Sequence, residues 1–273
     1  MTDHRFATPQ PLQLDVEVER GHVSLVLTDT TETTVRLEGA DAAGTEVSLE
    51  GTTLRIHQPR RRGFFSGDRA LHVEVEAPRA SSLAARLGST DLHTEGPLTD
   101  ARVKSGSGDL TLAEVTGACQ VDTGSGAVQV HRAGAELRVR SGSGDVHVGH
   151  AGATSAVSTG SGDVQVDHHT GTLSVKTGSG DLRVIDAAGE VSMATGSGDA
   201  VVDRISTGAL GFTGASGDVR IGVAPGIPVW TEVSTVTGRL ESRLQGRGEP
   251  AQGDPFVVVR ARTVSGDIVL QEA

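Results

Sequence analysis

Apolar and polar residues alternate along most of this chain, and the alternation is rephased at a fixed interval. From Asp163 the sequence reads DVQVDHHTGTLSVKTGSG. Val164 and Val166 alternate with Gln165 and Asp167. Beyond a corner at residues 169–171, Leu173 and Val175 alternate with Ser174 and Lys176. A period of two marks strands with one buried and one wet face. The unit recurs every 18 residues, closed each time by Ser/Thr-Gly-Ser-Gly-Asp, and the aspartate position falls at Asp91, Asp109, Ala127, Asp145, Asp163, Asp181 and Asp199. The first copy is worn to residues 88–91, Ala127 is a substitution, and looser copies stand at Gly217-Asp218, Gly238-Arg239 and Gly266-Asp267.

The apolar columns hold from copy to copy. One residue after the aspartate position stand Leu92, Leu110, Val128, Val146, Val164, Leu182 and Ala200. Ten after it stand Ala101, Cys119, Leu137, Ser155, Leu173 and Val191. The copy after Asp199 carries one extra residue, so Leu210 and Phe212 continue the later columns. Strands that repeat in one direction at this spacing pair in parallel with the copies above and below. The pattern therefore predicts an all-β chain, a single-stranded parallel β-solenoid (β-helix) with 18-residue coils, right-handed like other parallel crossovers. The cross-section is open between a flattened oval and a rounded triangle. The turn glycines are expected to supply positive φ at sharp corners.

Residues 1–85 lack the strict period but alternate in short strands, and read as an N-terminal β cap over an exposed pairing edge. Residues 86–273 read as the solenoid, about ten coils with irregular C-terminal ones. Residues 256–260 and 268–271 are expected to finish the stack, the last strand forming its terminal edge.

Composition sharpens this picture. Only 2% of the 273 residues are aromatic and there are 37 glycines, which suits a thin core of Val, Leu and Ala. The formal charge of −11 disfavours nucleic acid as a partner, since binding it needs a basic surface. No run of ~20 apolar residues could span a bilayer. Residues 1–11 carry no apolar stretch behind a basic cluster, so the expected location is cytoplasmic, with a surface location left open. The single Cys119 lies in an apolar column and reads as a structural thiol.

Three constellations could carry chemistry. Carboxylates in a file ~5 Å apart repel by roughly 1 kcal/mol in water. Either each accepts N–H groups of its own turn and nearby hydroxyls, or cations sit between coils. His150 and His168 share an offset in successive copies, with His131 and His169 nearby and His147 and Asp167 close by; imidazoles so placed could hold zinc, copper or nickel. The metal candidates are thus Asp109, Asp145, Asp163, Asp181, Asp199, His150 and His168. Third, Arg60, Arg61, Arg62, Phe64 and Phe65 form a basic, aromatic loop that could dock a partner. Nucleophile-elbow and phosphate-loop motifs are absent, and no cofactor is expected.

Several segments together resemble a known family. They are the Gly-x-Val-x-Leu start at residues 21–25, the Arg-Gly-Phe-Phe loop at residues 62–65, and the acidic strand running into Pro78. The Gly-Ser-Gly-Asp turns and the closing VRARTVSGDI at residues 259–268 complete the set. The chain resembles the bacterial β-strand-repeat family of unknown function labelled "putative adhesin", in its cytosolic-looking actinobacterial form. The resemblance implies a parallel β-solenoid with a non-enzymatic role in binding, and carries over no catalytic residue. The expected function is an interaction module for an unknown protein or glycan partner, monomeric or weakly oligomeric. A self-assembling scaffold is the alternative, then a metal-binding rod, then a glycan-active enzyme.

Overall fold

The computed structural model describes residues 1–59, 70–245 and 253–273. The chain divides into two compact units, Met1–Glu136 and Leu137–Ala273. Among the described residues it is all-β apart from one 3-10 turn at Ala42–Gly44, and most strand pairs are parallel.

The first unit contains β1 (Thr2–Ala7), β2 (Gln13–Thr28), β3 (Glu32–Glu38), β4 (Glu46–Glu50), β5 (Thr53–His57), β6 (Leu71–Pro78), β7 (Ser82–Glu95), β8 (Pro97–Leu98), β9 (Ala101–Ser105), β10 (Leu110–Val115), β11 (Cys119–Thr123) and β12 (Val128–Ala133). The long strands β2 and β7 run parallel, from Gln13 opposite Ser82 to Val26 opposite Glu95. On its other side β2 takes β5 and β6 in parallel. Three antiparallel pairs lie outside these: β4 on β5, β3 on β6 and β1 on β3. Away from that edge the 18-residue offset sets the register, with Leu110 opposite Val128 and Cys119 opposite Ala101.

The second unit contains β13 (Leu137–Ser141), β14 (Val146–Ala151), β15 (Thr154–Thr159), β16 (Val164–His169), β17 (Thr172–Thr177), β18 (Leu182–Thr195), β19 (Ala200–Gly214), β20 (Val219–Val223), β21 (Val229–Thr235), β22 (Leu240–Ser242), β23 (Val257–Thr263) and β24 (Ile268–Glu272). Two files of parallel strands run through it. One passes from β14 through β16, β18 and β19 to β20; the other passes from β13 through β15, β17 and β18 to β19. The extra residue is taken up as a bulge between Ala187 and Ala188, after which Val191 faces Leu210 and Met193 faces Phe212.

Each apolar column is buried. Val146, Val164, Leu182, Ala200, Val219 and Ile268 all lie within the core, as do Val157, Val175, Met193 and Phe212. A fully buried Val or Leu contributes ~1.5–3 kcal/mol, so the long columns hold the unit together with Phe212 the one buried phenylalanine among its described residues.

The C-terminal order differs from the expectation. β23 lies between β19 and β21, and β24 lies between β20 and β22. The chain runs outward through β21 and β22, then returns to place its last two strands inside them. The final strand is therefore interior, with Ile268 and Leu270 buried, and β21 and β22 are outermost. Alternation fixes which side chains face inward, but not which coil is the neighbour.

The turn glycines also differ from the expectation. Among the described repeat turns only Gly217 has a left-handed φ, at 148°. Space requires several of the others: a Cβ on Gly126, Gly162, Gly180 or Gly198 would run into the carbonyl oxygen of the equivalent glycine one coil earlier.

Candidate interaction surface

The aspartate file is a hydrogen-bond ladder between coils. In the first unit Asp91 Oδ1 accepts the backbone N–H of Asp109 at 2.9 Å, and Asp109 Oδ1 accepts that of Ala127 at 2.9 Å. In the second unit Asp145 accepts from Asp163, Asp163 from Asp181, and Asp181 from Asp199, at 2.8–2.9 Å. The ladder follows spatial order, not chain order: Asp199 accepts from Asp218, Asp218 from Asp267, and Asp267 from Arg239. The acceptors' partners lie in the next coil rather than in the aspartate's own turn, which corrects the first of the two expected readings. Turn hydroxyls serve locally, with Thr159, Thr177 and Thr195 accepting the N–H of Gly162, Gly180 and Gly198.

A charge-assisted bond of this kind resembles a helix N-cap, whose loss costs ~1 kcal/mol. Asp163→Ala is therefore expected to lower stability by about 1 kcal/mol. Asp163→Asn keeps an oxygen acceptor and should cost less than half of that. Urea denaturation of the two variants checks the ordering.

The metal candidates are distributed along this geometry. Asp109 lies in the first unit, and Asp145, Asp163, Asp181 and Asp199 stand in one exposed file in the second, each with Oδ1 engaged as above. His150 and His168 face each other in register, ring centroids 4.7 Å apart. His168 Nδ1 lies 3.9 Å from Asp186, which also approaches Arg204 at 4.0 Å. Among the described residues no three His, Cys, Asp or Glu side chains converge as a metal-holding group. His147 instead meets Asp167 at 2.9 Å. Burial works to raise the Asp167 pKa, but the Gln165 amide, the His147 ring and the charges of His147 and His168 outweigh it and hold it below the usual value.

His169 does not join this surface. It faces Ala151 on one side and Ala187 on the other, is 1% exposed, and neither ring nitrogen finds a hydrogen-bond partner of good geometry. Burial pushes its pKa down, against nearby backbone groups of Gly171, Glu190 and Ala151 that favour the charged form.

Cys119 is buried, and desolvation raises its thiol to about 12. At pH 8 the thiolate fraction is then on the order of one in ten thousand. Iodoacetamide should modify the folded protein negligibly over hours and label one site once denaturant is added, as mass spectrometry would record.

Arg60, Arg61, Arg62, Phe64 and Phe65 lie outside the described residues. Two open grooves of the first unit have volumes of about 590 and 470 Å³. In the larger, Arg36 is already held by Glu74 at 3.2 Å and Asp3 at 3.5 Å.

The outward side of the second file carries a feature that the offsets could have revealed. Arg138 and Arg140 on β13 face Ala156 and Ser158 on β15, which face Ser174 and Lys176 on β17. Arg140 and Lys176 are exposed and make no ion pair among the described residues. Small residues continue across Ser192, Ala194, Gly211 and Thr213 to Arg260 and Arg262, which share Glu232. Along this side Arg138, Arg140, Lys176, Arg260 and Arg262 thus outnumber Glu190 and Glu232, in a chain of net charge −11.

The sequence profile of the family described as Toastrack DUF4097 matches residues 12–187 and again residues 170–223. No curated protein matches the chain. Among solved structures, a "putative adhesin" from Bacteroides fragilis is 12% identical with a TM-score of 0.43, over 99% of this chain and 96% of that one. A "putative adhesin" from Parabacteroides merdae is 10% identical with a TM-score of 0.35, over 100% and 96%. A "putative cell adhesion protein" from Clostridium sporogenes is 7% identical with a TM-score of 0.21, over 100% and 99%.

Proposed function

The chain belongs to the Toastrack DUF4097 family, and we propose that it acts as a non-enzymatic, adhesin-like interaction module whose strand faces bind a protein or glycan partner. The observation that carries this reading is the basic face of the second unit. Arg140 and Lys176 stand two strands apart, ~10 Å at the usual strand spacing, above a floor of Ala156, Ser158 and Ser174. Small side chains let a partner approach the sheet closely, and unpaired cations reward one that brings carboxylates or sulfates. Charge at such a surface mainly sets encounter rate and selectivity.

Binding to immobilised neutral glycans, sulfated glycans and acidic proteins tests the reading. The expected result is retention by an acidic ligand, weakening as salt rises. Arg140→Glu with Lys176→Glu should reduce the affinity about tenfold, while Gln165→Ala, on the other file of strands, leaves it unchanged. Retention by no ligand class, or equal retention by both variants, would count against this face.

A further inference from the structure

The outermost strands of the second unit have no covering coil among the described residues. Among the described residues β21 pairs with β23 alone, and β22 with β24 alone. Their inward columns are the ones buried one layer deeper. Ile268 is 0% exposed, yet Leu240 beside it is 54% exposed. Among the described residues, the exposed large apolar side chains Trp230, Val236 and Leu240 lie on this outermost coil, and Phe256 and Val264 flank β23 beneath it. An open pair of strand edges beside uncovered apolar side chains is a template for pairing.

We infer that this edge is an interface between two copies of the chain, related by a two-fold axis with β21 against β21 and β22 against β22, antiparallel. Two observations select a second copy in this orientation. The first is the end of the aspartate ladder. Asp267 accepts the N–H of Arg239, and Arg239 occupies the aspartate position of the outermost coil. A further coil stacked in the same direction would find no carboxylate for its own N–H, so head-to-tail continuation lacks the bond that joins the coils of the second unit.

The second observation is self-complementarity, which a closed two-fold interface requires. With Ser242 on the axis, Glu241 of each copy lies opposite Arg243 of the other. These side chains share one side of β22 and already bond within the chain at 2.7 Å, so two copies form a ring of alternating charge. With Val233 on the axis, Trp230 of each copy lies opposite Val236 of the other, which covers two of the exposed apolar side chains. Cross-strand pairs of both kinds are favourable, and like charges directly opposite are not.

Sedimentation velocity over a wide range of protein concentration is the test. Wild type is expected to move from 28.0 kDa toward twice that mass as concentration rises, with a blue shift of Trp230 fluorescence. Glu241→Arg and Arg243→Glu each place four like charges on the axis and should weaken the dimer at least about tenfold. The double variant Glu241→Arg/Arg243→Glu rebuilds the ring and should recover the wild-type mass. These positions are exposed, so unchanged melting temperatures separate lost association from lost folding. A protein that stays at 28.0 kDa throughout, a dimer indifferent to the single variants, or a double variant no better than either single one overturns the inference.

Discussion

Gly180→Ala is expected to be among the most damaging single-methyl additions to the fold, lowering stability by about 1–3 kcal/mol or more. A Cβ at Gly180 would overlap the carbonyl oxygen of Gly162 and approach its carbonyl carbon to 2.7 Å. The obstructing atoms are backbone, held by the bonds that join the coils: Gly178 donates to Gly160 at 3.0 Å, and Asp181 donates to Asp163 at 2.9 Å. Relief therefore means separating two coils locally, which also strains the columns above and below. Gly211→Ala is the control. Its Cβ would meet only Ser192 Cβ at 3.8 Å, and replacing a strand glycine by alanine should leave stability unchanged or raise it by about 0.5 kcal/mol. Urea midpoints of the two variants against wild type give the comparison. A Gly180→Ala protein as stable as wild type would show that the coils are spaced more loosely than the close approach requires.

That contrast marks where the sequence was legible. The period, the inward columns and the identity of each turn were readable because alternation reports directly on which side chains leave water. The reason for the glycines was not readable, since a glycine required for positive φ and one required for close approach look alike in sequence. The C-terminal order was hidden for a related reason. Val257, Val259 and Ala261 suit an inner or an outer strand equally, and a returning segment chooses between them. A signal was present in retrospect. Arg239 replaces the ladder aspartate, and Thr231 and Ser242 stand where deeper coils carry Val259 and Leu270. Those are the substitutions expected of a coil with nothing stacked in parallel above it.

The same retrospective logic applies to the candidate site. The histidine corner was grouped by offset, which put His169 beside His150 and His168. Its own column reads Ala151, His169, Ala187, Ile205 along paired strands, and the aliphatic neighbours identify an inward position. The basic face was missed because Arg138, Arg140 and Lys176 are separated along the chain and join only when the coils are superimposed. Net charge conceals such a face, because it sums over the whole chain.

Acid should therefore destabilise this protein before its carboxylates titrate, with His169 as a principal cause. Burial lowers the folded pKa of His169 below the ordinary value of 6.5. Above 6.5 the imidazole is neutral in both states and contributes no pH dependence. As pH falls through 6.5 the unfolded chain takes up a proton that the folded chain does not, so stability falls until the lowered folded pKa is passed. Among the described residues the strand neighbours of His169 are Ala151 and Ala187, which cannot receive an imidazolium, while Asp186 is half-exposed and Glu190 lies exposed on β18. His169→Leu keeps roughly the same volume and removes both the proton uptake and an unsatisfied buried ring. It should raise stability near pH 7.5 by about 1 kcal/mol and flatten the loss between pH 6.5 and 5. His168→Leu is the comparison, since His168 is half exposed and stacks on His150 outside the core. Denaturation midpoints measured across that range separate the two. If both variants follow the wild-type slope, the acid response arises elsewhere; if only His169→Leu is flat, the proton taken up on unfolding belongs to the buried ring.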